Sequence, residues 1–321
     1  MTAGGEQHAA GVSPALIEAI AGLTAGSIAT LAVHPLDIVK TRMQIFRGTA
    51  TASASGTCIG GPAALSAASV LRGLLAAPHP LAALYRGLTP NLLGNGTSWA
   101  SFFFVKSRME RLVASAKAPG PQDLTPADYF VASGLAGICV QVITNPLWVL
   151  KTRMLSSDRG AQGAYPSMWA GAIRVLREEG PRGFYRGLGV SLIGVSHGAV
   201  QFAVYEPMKR LYLRRGSEAD IDASQKRLRN HATLVISTTA KLVAGAVTYP
   251  YQVVRSRLQN YDAEARFGRG IVGVSAQLWR EDGLRGFYRG LVPSVIRVLP
   301  ATWVTFLVYE NIRHSLPQWI A

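Results

Sequence analysis

Three segments of this chain carry polar and charged residues at the same distances after a proline. They read Pro35-Leu-Asp37-Ile-Val-Lys40-Thr-Arg42, Pro146-Leu-Trp148-Val-Leu-Lys151-Thr-Arg153 and Pro250-Tyr-Gln252-Val-Val-Arg255-Ser-Arg257. An acid followed by a base about one helical turn later, repeated around three helices, would form a ring of ion pairs. Such a ring closes a cavity at one end. The residue types therefore indicate a gate.

The ring is depleted, because Asp37 is the carboxylate at only one of the three acidic positions and a tryptophan and a glutamine occupy the others. Asp37 can pair with Lys151. Lys40 and Arg255 then lack carboxylate partners. We expect the closed floor of the cavity to carry excess positive charge and to open easily.

The proline segments belong to a longer unit that occurs three times. Each is followed by an aromatic-Arg-Gly element, and both features recur at intervals of roughly 100 residues. The elements are Tyr85-Arg86-Gly87, Tyr185-Arg186-Gly187 and Tyr288-Arg289-Gly290. We expect an N-terminal tail over 1–14, followed by three repeats over 15–115, 116–216 and 217–321.

Each repeat predicts two long helices, one running into the proline segment and one following the aromatic-Arg-Gly element. The stretches cover 15–46, 125–155 and 231–260, and 88–110, 188–210 and 291–314. Each has the ~20 residues that cross a hydrocarbon core of about 30 Å. The prolines are expected to kink their helices without ending them, because neighbouring groups in a membrane satisfy the freed carbonyls. The fold class is an all-α integral membrane protein with six transmembrane helices.

Shorter patterns predict three helices lying on the membrane surface. They cover Ser66–Leu75, Trp169–Glu178 and Val272–Arg280. Gly180 and Gly283 are expected to end the last two. Small residues at helical spacing, such as Gly22 and Gly26, are typical of close contacts between membrane helices. The stretch from Gly48 to Gly61, rich in small polar residues, predicts a loop insertion.

Composition favours a membrane protein. Hydrophobic residues make up 49% of the chain, charged residues 16%, and mean hydropathy is +0.19. The chain has 33 basic and 18 acidic residues, so its formal charge is +15. This charge predicts a negative partner: nucleic acid, anionic lipid or an anionic solute. The first 13 residues resemble neither a secretory signal nor an Arg-rich transit peptide, so targeting information is expected inside the chain.

The repeated motifs resemble the mitochondrial carrier family over roughly Ala15 to Ser315. The resemblance implies a pseudo-threefold bundle of six helices in the mitochondrial inner membrane, with both termini toward the intermembrane space, working by alternating access. It also implies a monomer in contact with membrane lipid such as cardiolipin. Gln44 and Gln259 occupy positions where members of the family carry a glutamine that braces the gate. Arg72-Gly73 departs from the acid-Gly that the family pattern places in repeat one.

The opposite gate of the family is an aromatic-acid-x-x-base pattern on the second long helix of each repeat. Tyr205-Glu206-Pro-Met-Lys209 and Tyr309-Glu310-Asn-Ile-Arg313 match it. The match suggests a pair between Glu206 and Arg313. The second helix departs, with Val105-Lys106-Ser-Arg108 at this place, so this cytoplasmic gate is expected to be weak.

The family's substrate contacts lie eight residues after the arginine of each aromatic-Arg-Gly element. Here these positions are Gly94, Gly194 followed by Val195, and Arg297. The glycines would leave room for a bulky ring, and Arg297 supplies a planar fork for phosphate or carboxylate.

Polar groups at membrane depth are costly to bury, so His197, Gln201, Lys241 and Gln141 are candidates to line the cavity. Lys241 could instead snorkel to the membrane surface. Trp148 is a further candidate because of its ring. His197 could instead bond a neighbouring helix. Trp148 could stack on a substrate ring or pack in the floor.

Several local sequences are most similar to the folate and FAD carriers of the family, namely Ser196-His197-Gly198, Tyr249-Pro250-Tyr251 and Arg297-Val-Leu-Pro300. FAD or a folate is the expected solute, with NAD or a pyrimidine nucleotide as the alternative. No cofactor and no metal are expected.

Two other classes of protein compete with a carrier: a basic soluble protein that binds nucleic acid, and an enzyme. The sequence carries no P-loop, zinc-ligand spacing, Gly-x-Gly-x-x-Gly or nucleophile–base pair in a plausible context that would support them. A proton leak within the same fold stays open.

Overall fold

The computed structural model is helical over most of its described length. The structure describes residues 14–45, 66–116, 125–157, 164–215, 221–222, 227–228, 230–261 and 263–320. The expected tail and the loop insertion from Gly48 to Gly61 lie outside these ranges.

Thirteen α-helices, one 3₁₀ turn and one pair of two-residue strands make up the described part of the chain. The first seven helices are α1 (Pro14–Ile45), α2 (Ala67–Leu75), α3 (Pro80–Leu84), α4 (Leu88–Ser115), α5 (Pro126–Leu155), α6 (Met168–Glu178) and α7 (Leu188–Ile193). The others are α8 (Ser196–Arg215), α9 (Asn230–Val247), α10 (Tyr249–Gln259), α11 (Ala263–Phe267), α12 (Gly270–Gly286) and α13 (Leu291–Ile320). The 3₁₀ turn covers Pro181–Tyr185, and Ile221–Asp222 pairs with Arg227–Leu228.

The long helices form a closed ring. Between repeats, α1 packs on α13, α4 on α5, and α8 on α9; within repeats, α1 contacts α4, α5 contacts α7, and α9 contacts α13. Helices α1, α5 and α10 also contact one another. The predicted all-α bundle of three two-helix repeats is confirmed, with α1, α5 and α10 converging at the proline segments.

The prolines act differently in the three repeats. Helices α1 and α5 continue through Pro35 and Pro146, as predicted. The third stretch breaks, because Thr248 leaves the helical conformation at φ −90° and ψ 4°, and Pro250 falls in the first turn of α10. A proline in the first turn forfeits no helical hydrogen bond, so a new helix starts there. The expected uninterrupted helix over 231–260 is therefore wrong.

The stretch over 188–210 is also divided, since α7 ends at Ile193 and α8 begins at Ser196. The three predicted short helices are present, and Ser66 and Ser167 cap α2 and α6 with their side-chain oxygens. Their position on the membrane surface stays a prediction. Gly180 and Gly283 have φ of +66° and +58°, a positive value that glycine tolerates and that allows the chain to turn there.

Small residues pack differently from the prediction. A side chain at Gly22 or Gly26 would meet no atom within 4 Å, so these glycines are not at a close helix contact. The alanines one position before them, Ala21 and Ala25, are completely buried. Helix α1 is rotated so that its alanines pack and its glycines face open space.

Four segments of the described residues are long and apolar enough to span a membrane. They are Ala21–Ile45, Ala127–Leu155, Pro181–Tyr212 and Leu291–Tyr309. Val235–Val247 is apolar but shorter, because the break at Thr248 limits it.

Candidate substrate site and gate

Asp37 is the centre of the contacts among the converging helices. Its Oδ2 lies 3.5 Å from Lys151 Nζ on α5, and Asn91 Nδ2 donates to the same oxygen at 3.3 Å. Its Oδ1 lies 3.1 Å from Arg297 Nη1 on α13. The pair with Lys151 is confirmed. Arg297, the arginine expected to bind the solute, also pairs within the protein, so this carboxylate neutralises two cations at once.

The other two positions of the ring hold amide and aromatic groups. Lys40 Nζ donates to Gln252 Oε1 at 2.9 Å. Lys151 Nζ lies 5.2 Å from the ring centre of Trp148, a cation–π distance. Within the described ranges neither Lys40 nor Arg255 forms an ion pair with a carboxylate.

Gln44 and Gln259 join neighbouring helices that carry the proline segments. Gln44 donates to the Tyr249 hydroxyl at 3.1 Å and accepts from Ser256 at 2.7 Å, linking α1 to α10. Gln259 accepts from Thr152 at 3.0 Å, linking α10 to α5. Both side chains are buried. They follow Lys40 and Arg255 by four residues, about one helical turn.

The second base of each proline segment forms a ring that the sequence analysis did not anticipate. The Nε atoms of three arginines donate to backbone carbonyls of the next helix that carries a proline segment; the donors are Arg42, Arg153 and Arg257. The acceptors belong to Leu155, Gln259 and Gln44, at distances of 3.2, 3.0 and 3.1 Å. Each acceptor stands nine residues after its proline, so the contacts follow the threefold repeat. The recurrence of this arginine in all three proline segments is the sequence signal from which the ring could have been predicted.

Acids after the surface helices support two of these arginines. Glu179 contacts Arg153 at 2.5 Å and Arg186 at 2.7 Å. Asp282 lies 3.8 Å from Arg257 and 2.6 Å from Arg289. Burial by itself raises the pKa of Glu179. Hydrogen bonding and charge from Arg153, with the charge of Arg186, outweigh that effect and hold the pKa below its ordinary value of 4.5.

Two cavities lie among the long helices. The first, here the basic cavity, has a volume of about 390 Å³, and Lys40, Lys151, Arg255 and Arg297 line it together with Asp37. Four cations therefore face one carboxylate. The second, here the α1–α4–α13 cavity, has a volume of about 370 Å³. Its walls carry amides, hydroxyls and two tryptophans.

The predicted contact glycines do not open onto these cavities. A Cβ at Gly94 would lie 3.5 Å from the indole of Trp148, and one at Gly194 would lie 3.0 Å from the Tyr251 hydroxyl. Val195 packs against Gly137. In this conformation aromatic side chains occupy the space expected beside both glycines. Of the three positions counted from aromatic-Arg-Gly, only Arg297 lines the cavities.

The remaining candidates are dispersed. His197 Nδ1 lies 2.8 Å from Thr248 Oγ1, at the break between α9 and α10. Lys241 is exposed, and both it and Gln201 lie outside the two cavities. Trp148 lines both cavities, and its Nε1 donates to Thr144 Oγ1 at 3.1 Å.

The opposite gate lies only partly within the described residues. Glu206 is exposed and 3.9 Å from Arg210, one turn later on α8. Lys209 lies on the same helix. The side chains of Glu310 and Arg313 are outside the described part, so the pair between Glu206 and Arg313 stays a prediction.

Comparison with known proteins gives consistent matches along the whole chain. The family model described as mitochondrial carrier protein matches residues 11–117, 122–216 and 226–318. The mitochondrial FAD carrier protein FLX1 of Saccharomyces cerevisiae is 35% identical over 314 residues, which is 95% of this chain and 98% of that protein. The chloroplastic folate transporter 1 of Arabidopsis thaliana is 33% identical, over 94% and 95% of the two chains. The mitochondrial nicotinamide adenine dinucleotide transporter 2 of the same plant is 33% identical, over 90% and 77%.

Proposed function

Because this chain belongs to the mitochondrial carrier family, we propose that it transports FAD or a folate across the mitochondrial inner membrane. Both solutes are large, anionic and heteroaromatic. The chain is a transporter and not an enzyme. The described residues hold no cluster of metal-ligating side chains, and we propose that the cycle uses no cofactor.

The basic cavity is the observation that carries this proposal. Its four cations and one carboxylate leave excess positive charge in a space enclosed by helices, where charge interactions are stronger than in water. Arg297 Nε is buried and lacks a hydrogen-bond partner among the described residues. An unpaired buried donor is costly, so an anionic oxygen of the solute would be a favourable partner.

The proposed mechanism is alternating access. The contacts among α1, α5 and α10 close the cavity at the proline segments, which we assign to the matrix side. The solute would enter from the intermembrane space, toward which we place both termini. As Arg297 binds the anion, Asp37 would lose one of its two cations, and the closed ring would weaken. Glu206, Lys209, Glu310 and Arg313 would close the opposite side.

The surroundings of the carrier follow from the same proposal. We assign it as a monomer, because one chain closes the ring of helices on itself. Surface residues near the short helices would contact anionic lipid such as cardiolipin. The charge of +15 suits an anionic solute and anionic lipid, and nucleic acid is not proposed as a partner.

A carrier of NAD is the second candidate, favoured by the plant relative whose name gives that dinucleotide. A pyrimidine nucleotide would use the same cations.

Purified protein in liposomes tests the function. We expect uptake of labelled FAD or folate that depends on the protein and saturates. The same compounds should raise the melting temperature of the detergent-purified protein by mass action. Uptake of NAD alone would select the second candidate. Proton flux without any solute uptake would contradict a carrier function.

A further inference from the structure

The two cavities meet at one set of residues. Asp37, Lys151, Arg297 and Trp148 line both of them. The charged groups therefore lie at the centre of the combined space, with a separate compartment on each side. Each cavity alone is at the small end of the roughly 300–1,000 Å³ typical of ligand sites.

The compartments differ in chemistry. The α1–α4–α13 cavity adds no cation beyond the two it shares, and its walls include Asn95, Thr30 and Trp99. Asn95 Nδ2 donates to Thr30 Oγ1 at 3.1 Å, which uses one of the several hydrogen bonds that a carboxamide can form. Trp99 is 62% exposed and offers an aromatic face. A flat heterocycle with hydrogen-bonding edges fits this compartment better than a charged group does.

The glycines of α1 line the same compartment. A Cβ added to Gly22 or Gly26 would have no atom within 4 Å, so the backbone itself forms the wall and leaves the width open. The spaces beside Gly94 and Gly194, by contrast, hold aromatic side chains. Room for a ring is therefore found at α1.

We propose that the α1–α4–α13 cavity is a second subsite that binds one heterocycle of a dinucleotide, whose diphosphate lies at Arg297 and Lys151. The other heterocycle lies in the basic cavity. This inference rests on the proposed function and favours a dinucleotide over a folate as the solute. A solute with its charge at the centre and a ring system at each end, such as FAD, matches the arrangement. A folate carries its carboxylates at one end and one pteridine at the other.

Filling the subsite tests the inference. Gly26→Leu places a side chain into the α1–α4–α13 cavity, and Asn95→Leu removes the amide. Gly134→Leu is the matched control, because this glycine of α5 also has open space around it and lies outside both cavities. Dissociation constants are measured for FAD and for FMN, which has one ring system and one phosphate. The melting temperature without ligand verifies that each variant folds.

Loss of stacking and of the amide contact should weaken FAD binding about tenfold or more in Gly26→Leu and Asn95→Leu. FMN binding should change by less than about twofold, because FMN can use the basic cavity alone. Gly134→Leu should leave both unchanged. Equal weakening of FAD and FMN, or unchanged FAD binding in both cavity variants, would overturn the second subsite. So would wild-type protein that binds FAD no more tightly than FMN. Failure of the wild type to bind or transport FAD, folate or NAD would instead refute the proposed function.

Discussion

At the scale of single residues, Asp37 connects the gate to the substrate site. It lies 3.5 Å from Lys151 and 3.1 Å from Arg297, which belong to different helices. A buried carboxylate between two cations is stabilised by both, and each cation left without it would be an uncompensated charge. Arg297 therefore has two competing anionic partners, Asp37 and the proposed solute.

Replacing Arg297 separates these two roles. Arg297→Ala should abolish uptake and, since the pair with Asp37 is lost, also lower the stability of the closed conformation by ~1–3 kcal/mol. Arg297→Lys should restore part of the stability but little uptake, because a point charge cannot replace the bidentate fork. Liposome uptake and melting temperature measure the two effects.

Arg174→Ala is the control for Arg297→Ala. It removes an exposed ion pair with Glu178 on α6, for which about 0.5 kcal/mol is expected. Near-normal uptake by Arg297→Ala would remove this residue from the site.

Glu179→Gln tests the acid that supports the arginine ring. Arg153 has no exposed side-chain surface, so loss of its partner should cost ~3–5 kcal/mol of unfolding free energy. The folded-state pKa of Glu179 is depressed. Its contribution should thus be complete above the ordinary pKa of 4.5 and decrease as pH falls through the lower folded value. Denaturation at neutral and acidic pH measures both.

Glu178→Gln, one residue earlier in an exposed pair, is the matched control and should change stability by under ~1 kcal/mol. An equal effect of the two substitutions would contradict the structural role of Glu179.

At the scale of elements, the aromatic-Arg-Gly motif ends a surface segment and begins the next long helix. Gly87, Gly187 and Gly290 have φ between +73° and +84°. A Cβ at Gly290 would lie 2.9 Å from the Tyr249 hydroxyl and 3.0 Å from the carbonyl oxygen of Lys40. The glycine is required both for its conformation and for close approach of α13 to the ends of α1 and α10.

Gly290→Ala tests that explanation against a control that isolates the backbone effect. Gly180 also has a positive φ, +66°, but nothing lies within 4 Å of a Cβ there. Gly180 combines φ +66° with ψ −168°, so Gly180→Ala should cost ~1–3 kcal/mol for the backbone conformation alone. Gly290→Ala should cost about 1–3 kcal/mol more, because neighbours must move. Equal shifts in melting temperature would refute the close-contact explanation.

At the scale of the whole molecule, the gate has a carboxylate, Asp37, at only one of its three acidic positions. Gln252 fills the position of a missing acid and accepts from Lys40 at 2.9 Å. A neutral acceptor binds a cation more weakly than a carboxylate does. The closed conformation is therefore held by fewer ion pairs than the threefold motif would allow, which favours opening without a returning solute.

Gln252→Glu restores one acid at a contact that already has the right geometry. Desolvation offsets much of the attraction, so ~1–3 kcal/mol is expected, or roughly a five- to hundredfold shift toward the closed conformation. The melting temperature should rise and net uptake should slow more than exchange. Gln252→Leu, which removes the contact, should do the opposite.

Trp148→Asp combined with Gln252→Glu would also offer a partner to Arg255 and strengthen the effect. Trp148 lines both cavities, so the double variant changes the site as well as the gate. An unchanged melting temperature and unchanged ratio of uptake to exchange in Gln252→Glu would contradict the depleted-gate mechanism.

The sequence by itself determined the repeat, the six helical segments and the pair between Asp37 and Lys151. These features depend on residue spacing along a helix and on symmetry between repeats, both of which are local or periodic. The arginine ring could have been predicted in the same way, since its donors and acceptors keep the same offsets from the three prolines.

Only the tertiary structure decided which atoms meet across helices. The rotation of α1 that turns Gly26 to a cavity, the approach of Tyr251 to Gly194 and the second partner of Asp37 all depend on how distant helices pack. The break at Thr248 likewise distinguishes Pro250 from two prolines in similar segments. Packing depends on complementary surfaces that are far apart in the chain. A motif repeated three times therefore does not predict where the structures of its three copies differ.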